Sequence, residues 1–429
     1  MSEAARAPTK IFYGWRIAAA GAGLYFLHAA LLLQAFGAYV AVLSEEHGWS
    51  KTALAGGAAL QSIEGALLGP ALGWLVDRFG PRLIVQAGVV TLAAGFLLLS
   101  QIDTVGGFYL AMLVIAVGAS FSGYFPLSIA VMHWFEKRRA RALSVMSMGM
   151  AGGGLALPVI GWAMGNFGAS LVAAVSAVLT LAIGWPLACM VRRNPAEIGE
   201  WVDGEPPAAT AASPDGSPLP PPPGPDFSAL QALRTPAFWL LGLGHGFALL
   251  VVSSVNVHAV SHIKEGLGYT LTQASVVITM MTAAQGAGML LGAAVGDRWN
   301  KRRVAAGCML AHMVGLLLLT YAVFPFMLAL FAIFHGVAWG LRGPFMQAMR
   351  ADYFGLRAIG MIMGLSAVLV ALGQVAGPLL AGAFADAYGN YRIGFTVLAL
   401  IAGSGSLLFM LARKPELAPR TELARAGSA

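Results

Sequence analysis

Long apolar runs, broken at short intervals by small polar or basic clusters, set the pattern of the 429-residue chain. Crossing the hydrocarbon core as an α-helix takes about 20 mostly apolar residues, because each residue rises about 1.5 Å and every backbone group must bond within the segment. Runs of that length predict twelve transmembrane helices. Six fall at Arg16–Val42, Thr52–Val76, Leu83–Gln101, Phe108–Met132, Leu143–Met164 and Ser170–Val191. Six more fall at Ala237–His262, Leu271–Val295, Val304–Phe324, Phe326–Met349, Ile359–Phe384 and Arg392–Leu411. The apolar run from Ile17 to Val42 exceeds a signal-peptide core, and no cleavage context closes it, so it is read as the first span. The predicted fold class is an all-α membrane protein of two six-helix bundles.

Composition agrees. Hydrophobic residues make up 58% of the chain and charged ones 10%, with a mean hydropathy of +0.75. A soluble domain carries roughly 25% charged residues, so an ordinary soluble enzyme is excluded. Cys189 and Cys308 lie in apolar stretches and make neither a disulfide framework nor a metal site. The net charge of +7 would suit nucleic acid only if the positive residues formed one surface. They do not. With a cytoplasmic N-terminus, 22 of the 26 Lys and Arg residues fall on inner segments, the outer loops hold Lys51, Lys264 and Arg392, and Arg342 falls inside a span. That asymmetry is the positive-inside rule, so the basic character is topological and nucleic-acid binding loses its support. Short loops and an Ala- and Gly-rich composition fit a bacterial inner membrane with both termini cytoplasmic.

The one long polar stretch is Arg193–Thr235. Half of the 22 prolines fall between residues 195 and 236, including the run from Pro220 to Pro223. Such a segment buries no core and is expected to be an extended cytoplasmic tether. The organisation is therefore an arm over 1–15, a bundle over 16–192, the linker over 193–235, a second bundle over 236–412 and a tail over 413–429.

The two halves repeat. Asp77, Arg78 and Arg82 after the second span answer Asp297, Arg298 and Arg302 after the eighth, each pair 220 residues apart, as are Pro158 and Pro378. Asn166-Phe167-Gly168 answers Ala387-Tyr388-Gly389 at 221. Gly73, Asp77, Arg78, Gly80 and Arg82 form a Gly-x-x-x-Asp-Arg-x-Gly-x-Arg loop, and there the chain resembles the major facilitator superfamily. Phe12-Tyr13-Gly14-Trp15, the stretch from Trp134 to Ala142, Arg350-Ala351-Asp352-Tyr353-Phe354-Gly355 and Gly377-Pro378 resemble its monocarboxylate porter and oxalate–formate antiporter branch. The chain departs from that branch in two places. Gln374 stands where oxalate relatives carry a basic residue, and the eighth span lacks an Asp/Arg pair before Asp297 and Arg298. The resemblance implies a rocker-switch carrier whose cavity is lined by spans one, four, seven and ten.

Aspartate beside arginine at a helix C-terminus is suited to bidentate pairing. Asp77, Arg78, Arg82, Asp297, Arg298 and Arg302 are therefore expected either to form a latch that closes the cytoplasmic side or to staple their loops constitutively. Ionisable groups at membrane depth are costly and usually functional. Arg342, flanked by Gly340, Gly343 and Pro344, needs an anion from substrate or protein, or else snorkels to the headgroups. Glu64, midway along the second span, is suited to carrying a proton; neutralising Arg342 or bonding a neighbouring helix are its other roles. Candidate substrate contacts are Ser122, the repeat partner of Arg342, with Tyr124, His28, Asn256, His258, Trp339 and Gln374. His258 and His262, four apart on one helix face, are further proton candidates. They lack nearby carboxylate or cysteine ligands for a metal.

No Walker A, HExxH, GxSxG or CxxC pattern occurs, so neither catalysis nor ATP-driven pumping is indicated. The expectation is a monomeric, proton-coupled secondary transporter of a small monocarboxylate of the lactate or pyruvate kind, with no cofactor and H+ as coupling ion. The alternatives are a proton-driven exporter of drugs or hydrophobic cations, in which Glu64 binds the cation, a dicarboxylate or formate exchanger, and a non-transporting membrane sensor.

Overall fold

The computed structural model describes residues 12–206 and 226–416. Arg6, Lys10, the Pro220–Pro223 run and the last 13 residues lie outside them. The apolar runs fold into twelve spans, here α1 to α12. The first bundle holds α1 (Tyr13–His47), α2 (Lys51–Phe79), α3 (Pro81–Leu99), α4 (Val105–Trp134), α5 (139–167) and α6 (169–190). The second holds α7 (Pro236–Gly266), α8 (Leu271–Val295), α9 (Lys301–Thr320), α10 (Pro325–Phe354), α11 (Ile359–Tyr388) and α12 (Arg392–Leu411). Several spans run one to two turns beyond their apolar cores, because helix formation continues past the hydrophobic stretch until a cap stops it.

Those caps are legible residue by residue. Ser50, Thr104, Thr235, Thr270 and Asn300 each accept a bond from the backbone N–H three residues on, closing a helix N-terminus. Gly168 (φ 80°) turns α5 into α6 and Gly389 (φ 71°) turns α11 into α12, so the sequence repeat carries the same left-handed turn residue in both halves. Two interruptions of the helices matter for the site. α1 passes through a π-helical turn at Ala29–Leu33 between its α-helical parts Tyr13–His28 and Phe36–His47. α4 breaks at Gly123, between Val105–Ser122 and Tyr124–Trp134. Both bends lie beside the cavity described below.

The basic loops and both ends of the linker gather at one end of the molecule, the basic end. The described parts of the linker are not an extended tether. Asp203, in a left-handed conformation (φ 58°), accepts from the backbone N–H groups of Glu136 (3.1 Å), Lys137 (2.8 Å) and Arg138 (3.3 Å), just ahead of α5. Glu205 pairs with Lys137 at 2.7 Å and Arg138 at 3.0 Å, and the Lys137 bond holds its carboxyl below the ordinary range. On the far side Phe227 is buried edge-on against Phe354 and donates its N–H to the Phe354 carbonyl. Carboxylates facing the open N-terminus of α5, and one aromatic ring, fasten the two ends of the linker, while the proline run on which the tether expectation rests lies outside the described residues.

Candidate functional site

Two aspartates and a set of glycines join the bundles at the basic end. Asp77, at the foot of α2, accepts from the backbone N–H groups of Gly360 and Met361, both at 2.8 Å. Asp297, just beyond α8, accepts from those of Ala140 (2.8 Å) and Arg141 (3.2 Å). All four donors sit in the first turns of α11 and α5, where N–H groups lack helical partners and the macrodipole attracts negative charge. The donors, like the acceptors, are 220 residues apart. Each bundle thus caps a helix of the other. Helices α2 and α11 cross closely enough that a Cβ on Gly69 would sit 3.1 Å from the Gly364 carbonyl oxygen. Asp352 of α10 adds a cross-bundle ion pair, accepting from Arg139 of α5 and, at 2.6 Å, from Lys301 of α9.

The arginines expected to complete the latch do something else. Arg78 lies over the rings of Trp74 (5.3 Å) and Phe79 (5.7 Å), a cation–π arrangement. Arg302 reaches the Ala412 carbonyl at 3.5 Å, Arg298 is exposed, and Arg82 is half-buried. Among the described residues none of the four pairs with Asp77 or Asp297. The physical reason is that a helix N-terminus offers two fixed donors, whereas an arginine must first be ordered.

Away from this seal, two adjoining cavities of about 400 Å³ and about 240 Å³ lie between the bundles, with Tyr124 and Val370 lining both. The larger takes Glu64 and Gln61 from α2, His28 from α1, Ser120 from α4 and Gln374 from α11. Glu64 is 6% exposed; its Oε2 accepts from the Ser120 hydroxyl at 2.9 Å, and its Oε1 has no protein partner among the described residues. The smaller takes Arg342 and Trp339 from α10, Tyr25 from α1, His245 from α7, Gln285 from α8, and Gln347. Arg342 is 1% exposed, and its Nε and Nη1 have no acceptor among the described residues. It therefore does not snorkel. Nor does Glu64 neutralise it: no carboxylate among the described residues pairs with this guanidinium.

Three of the expected substrate contacts, Ser122, Asn256 and His258, and the proton candidate His262 are not brought to either cavity. Ser122 gives its hydroxyl to the Gly118 carbonyl at 2.7 Å, and its backbone packs on Gly88 of α3. Two residues along a helix is about 200° of rotation, so Ser120 faces the cavity and Ser122 faces away. Asn256 is exposed and lines neither. His258 bonds the Pro378 carbonyl (3.0 Å) and packs on Tyr391; His262 bonds the Leu319 carbonyl (3.2 Å) between Tyr391 and Phe395. Both rings fasten α7 to its neighbours inside the second bundle.

Charged groups were missed in both places: Arg139, Lys301 and Asp352 at the seal, and Arg350 beside the cavity. Arg350, read only as part of a stretch resembling the monocarboxylate porter branch, is 2% exposed; its Nη1 donates to Gln347 Oε1 and its Nη2 to His245 Nδ1, each at 3.1 Å. Its spacing from Arg342, two turns along α10, was the available signal. A buried His312–His335 pair, Nδ1 to Nδ1 3.2 Å, also joins α9 to α10.

Comparison with known proteins places this arrangement. A family model described as the Major Facilitator Superfamily matches residues 19–258 and 241–428. Monocarboxylate transporter 13 of Bos taurus is 23% identical over 92% of this chain and 89% of its own length. The agnestins efflux protein AgnL12 of Paecilomyces divaricatus is 26% identical over 80% of this chain and 73% of its own. Among solved structures, the human organic anion transporter MFSD10 superposes with a TM-score of 0.69 at 17% identity, covering 92% of this chain and 99% of that one. With its two half-chain matches, its twelve spans and its paired inter-bundle caps, the chain belongs to the major facilitator superfamily, whose members are membrane transporters of small molecules.

Proposed function

We propose that the protein carries a small monocarboxylate, of the lactate or pyruvate kind, together with a proton, by alternating access. A single observation carries this reading. Arg342 is buried at the cavity between the bundles with donors to spare and, among the described residues, no carboxylate beside it. A permanent charge in a dry site is costly unless an anion compensates it, and a substrate carboxylate fits its planar fork. Glu64, in the adjoining cavity with one oxygen unpartnered, is the proposed proton carrier. The sealed end is the proposed cytoplasmic side, so the chain is in the outward-facing half of its cycle. The test is uptake of labelled lactate into proteoliposomes with and without an inward proton gradient. Gradient-stimulated uptake that Arg342→Ala abolishes is expected. Uptake indifferent to both would overturn the reading.

A second reading has its own observation. The Glu64 cavity is the larger and is lined mainly by apolar side chains, and AgnL12 is an efflux protein. In an exporter of hydrophobic cations, Glu64 would bind the cation and Arg342 would be structural. Loss of dye efflux in Glu64→Gln with carboxylate uptake intact would put that reading first.

A further inference from the structure

Arg350 makes no contact with the cavity, yet both of its side-chain partners line it. A guanidinium only donates hydrogen bonds. His245 Nδ1 must therefore be an acceptor, and the single proton of that ring lies on Nε2, which has no bonding partner among the described residues. Gln347 is fixed in the same way. Its Oε1 accepts from Arg350, which leaves the amide NH2 as the group it can offer. A permanent charge thus sets two neutral side chains, from α7 and α10, as hydrogen-bond donors around the cavity that holds Arg342.

We infer that His245 and Gln347, oriented by Arg350, are specificity-determining residues that read an acceptor oxygen on the carbon next to the substrate carboxylate. Arg342 alone would take any carboxylate. Two further donors on the wall of the same cavity, both on half-buried side chains, favour a ligand that brings an oxygen for them over one that leaves them unpaired, which is how a site discriminates against the missing group. The ligand class is then 2-oxo and 2-hydroxy monocarboxylates, in preference to unsubstituted acids of the same length. Arg350 is a positioning residue in this scheme and touches no substrate. The inference rests on the carboxylate reading of Arg342, and its test separates the two.

Competition of pyruvate, lactate and propionate for labelled lactate uptake reads the specificity. Pyruvate and lactate are expected to compete about tenfold better than propionate, the worth of one net hydrogen bond or slightly more, and His245→Phe to bring the three together. Equal competition in the wild type would overturn the inference while leaving the carboxylate reading in place; no competition by any acid would overturn that reading first. A second measurement does not depend on transport. In 15N-histidine-labelled protein, His245 is expected as the neutral Nε2–H form, assigned by its loss in His245→Phe. An Nδ1–H form or an imidazolium at His245 would contradict the role given to Arg350, and conversion to a mixture in Arg350→Met would support it.

Discussion

At the scale of single residues, the account turns on which polar groups the bundle walls leave without partners. Glu64 keeps one oxygen on Ser120 and the other unbonded, the arrangement of a group able to take and release a proton without losing its anchor. Glu64→Gln is therefore expected to remove the stimulation of lactate uptake by an inward proton gradient while leaving lactate exchange measurable. Counterflow against uptake in one vesicle preparation checks this, and retained stimulation would assign the proton elsewhere. The sequence exposed Glu64 and Arg342 readily, since charge at membrane depth stands out. It gave no basis for choosing Ser120 over Ser122, because that choice depends on the phase of α4 against α3 at Gly88. Arg350 was hidden for another reason. Near a helix end rich in basic residues, a buried arginine counts as topology until its burial is seen.

Between elements, the same exchange is made twice: a carboxylate at the foot of α2 caps α11, and one beyond α8 caps α5. The 220-residue period marked both aspartates from sequence. Their partners were not legible, since backbone N–H groups carry no residue identity and become available only where a helix of the other bundle begins. Removing the charge at either aspartate forfeits a charge-assisted pair worth about 1–3 kcal/mol, which shifts a two-state equilibrium roughly 5- to 150-fold. Asp77→Asn and Asp297→Asn are each expected to lengthen the distance between spin labels at the exposed positions Phe79 and Arg357. The double variant should shift it further. An unchanged distance distribution in the double variant would show that Asp352 and the glycine crossing hold the seal alone.

For the molecule as a whole, the twelve spans, the half-chain repeat and the superfamily were all readable from apolar runs and one loop motif, because a bilayer leaves the backbone few alternatives. What was not readable is how the polar residues sort by depth into a seal, a cavity and packing contacts such as His258 and His262. The sorting joins a sealed end to a cavity whose arginine, Arg342, has no counter-charge among the described residues, so an anionic ligand should stabilise the whole fold. A ligand that binds only the folded state contributes roughly 2.7 kcal/mol at a concentration 100 times its Kd. The direct measurement is the thermal unfolding of the purified protein titrated with lactate, beside Arg342→Gln. A concentration-dependent rise in Tm that is absent in the variant is the predicted result. An equal rise in both proteins, or a rise with hydrophobic cations and none with lactate, would contradict the claim that Arg342 is completed by a substrate carboxylate.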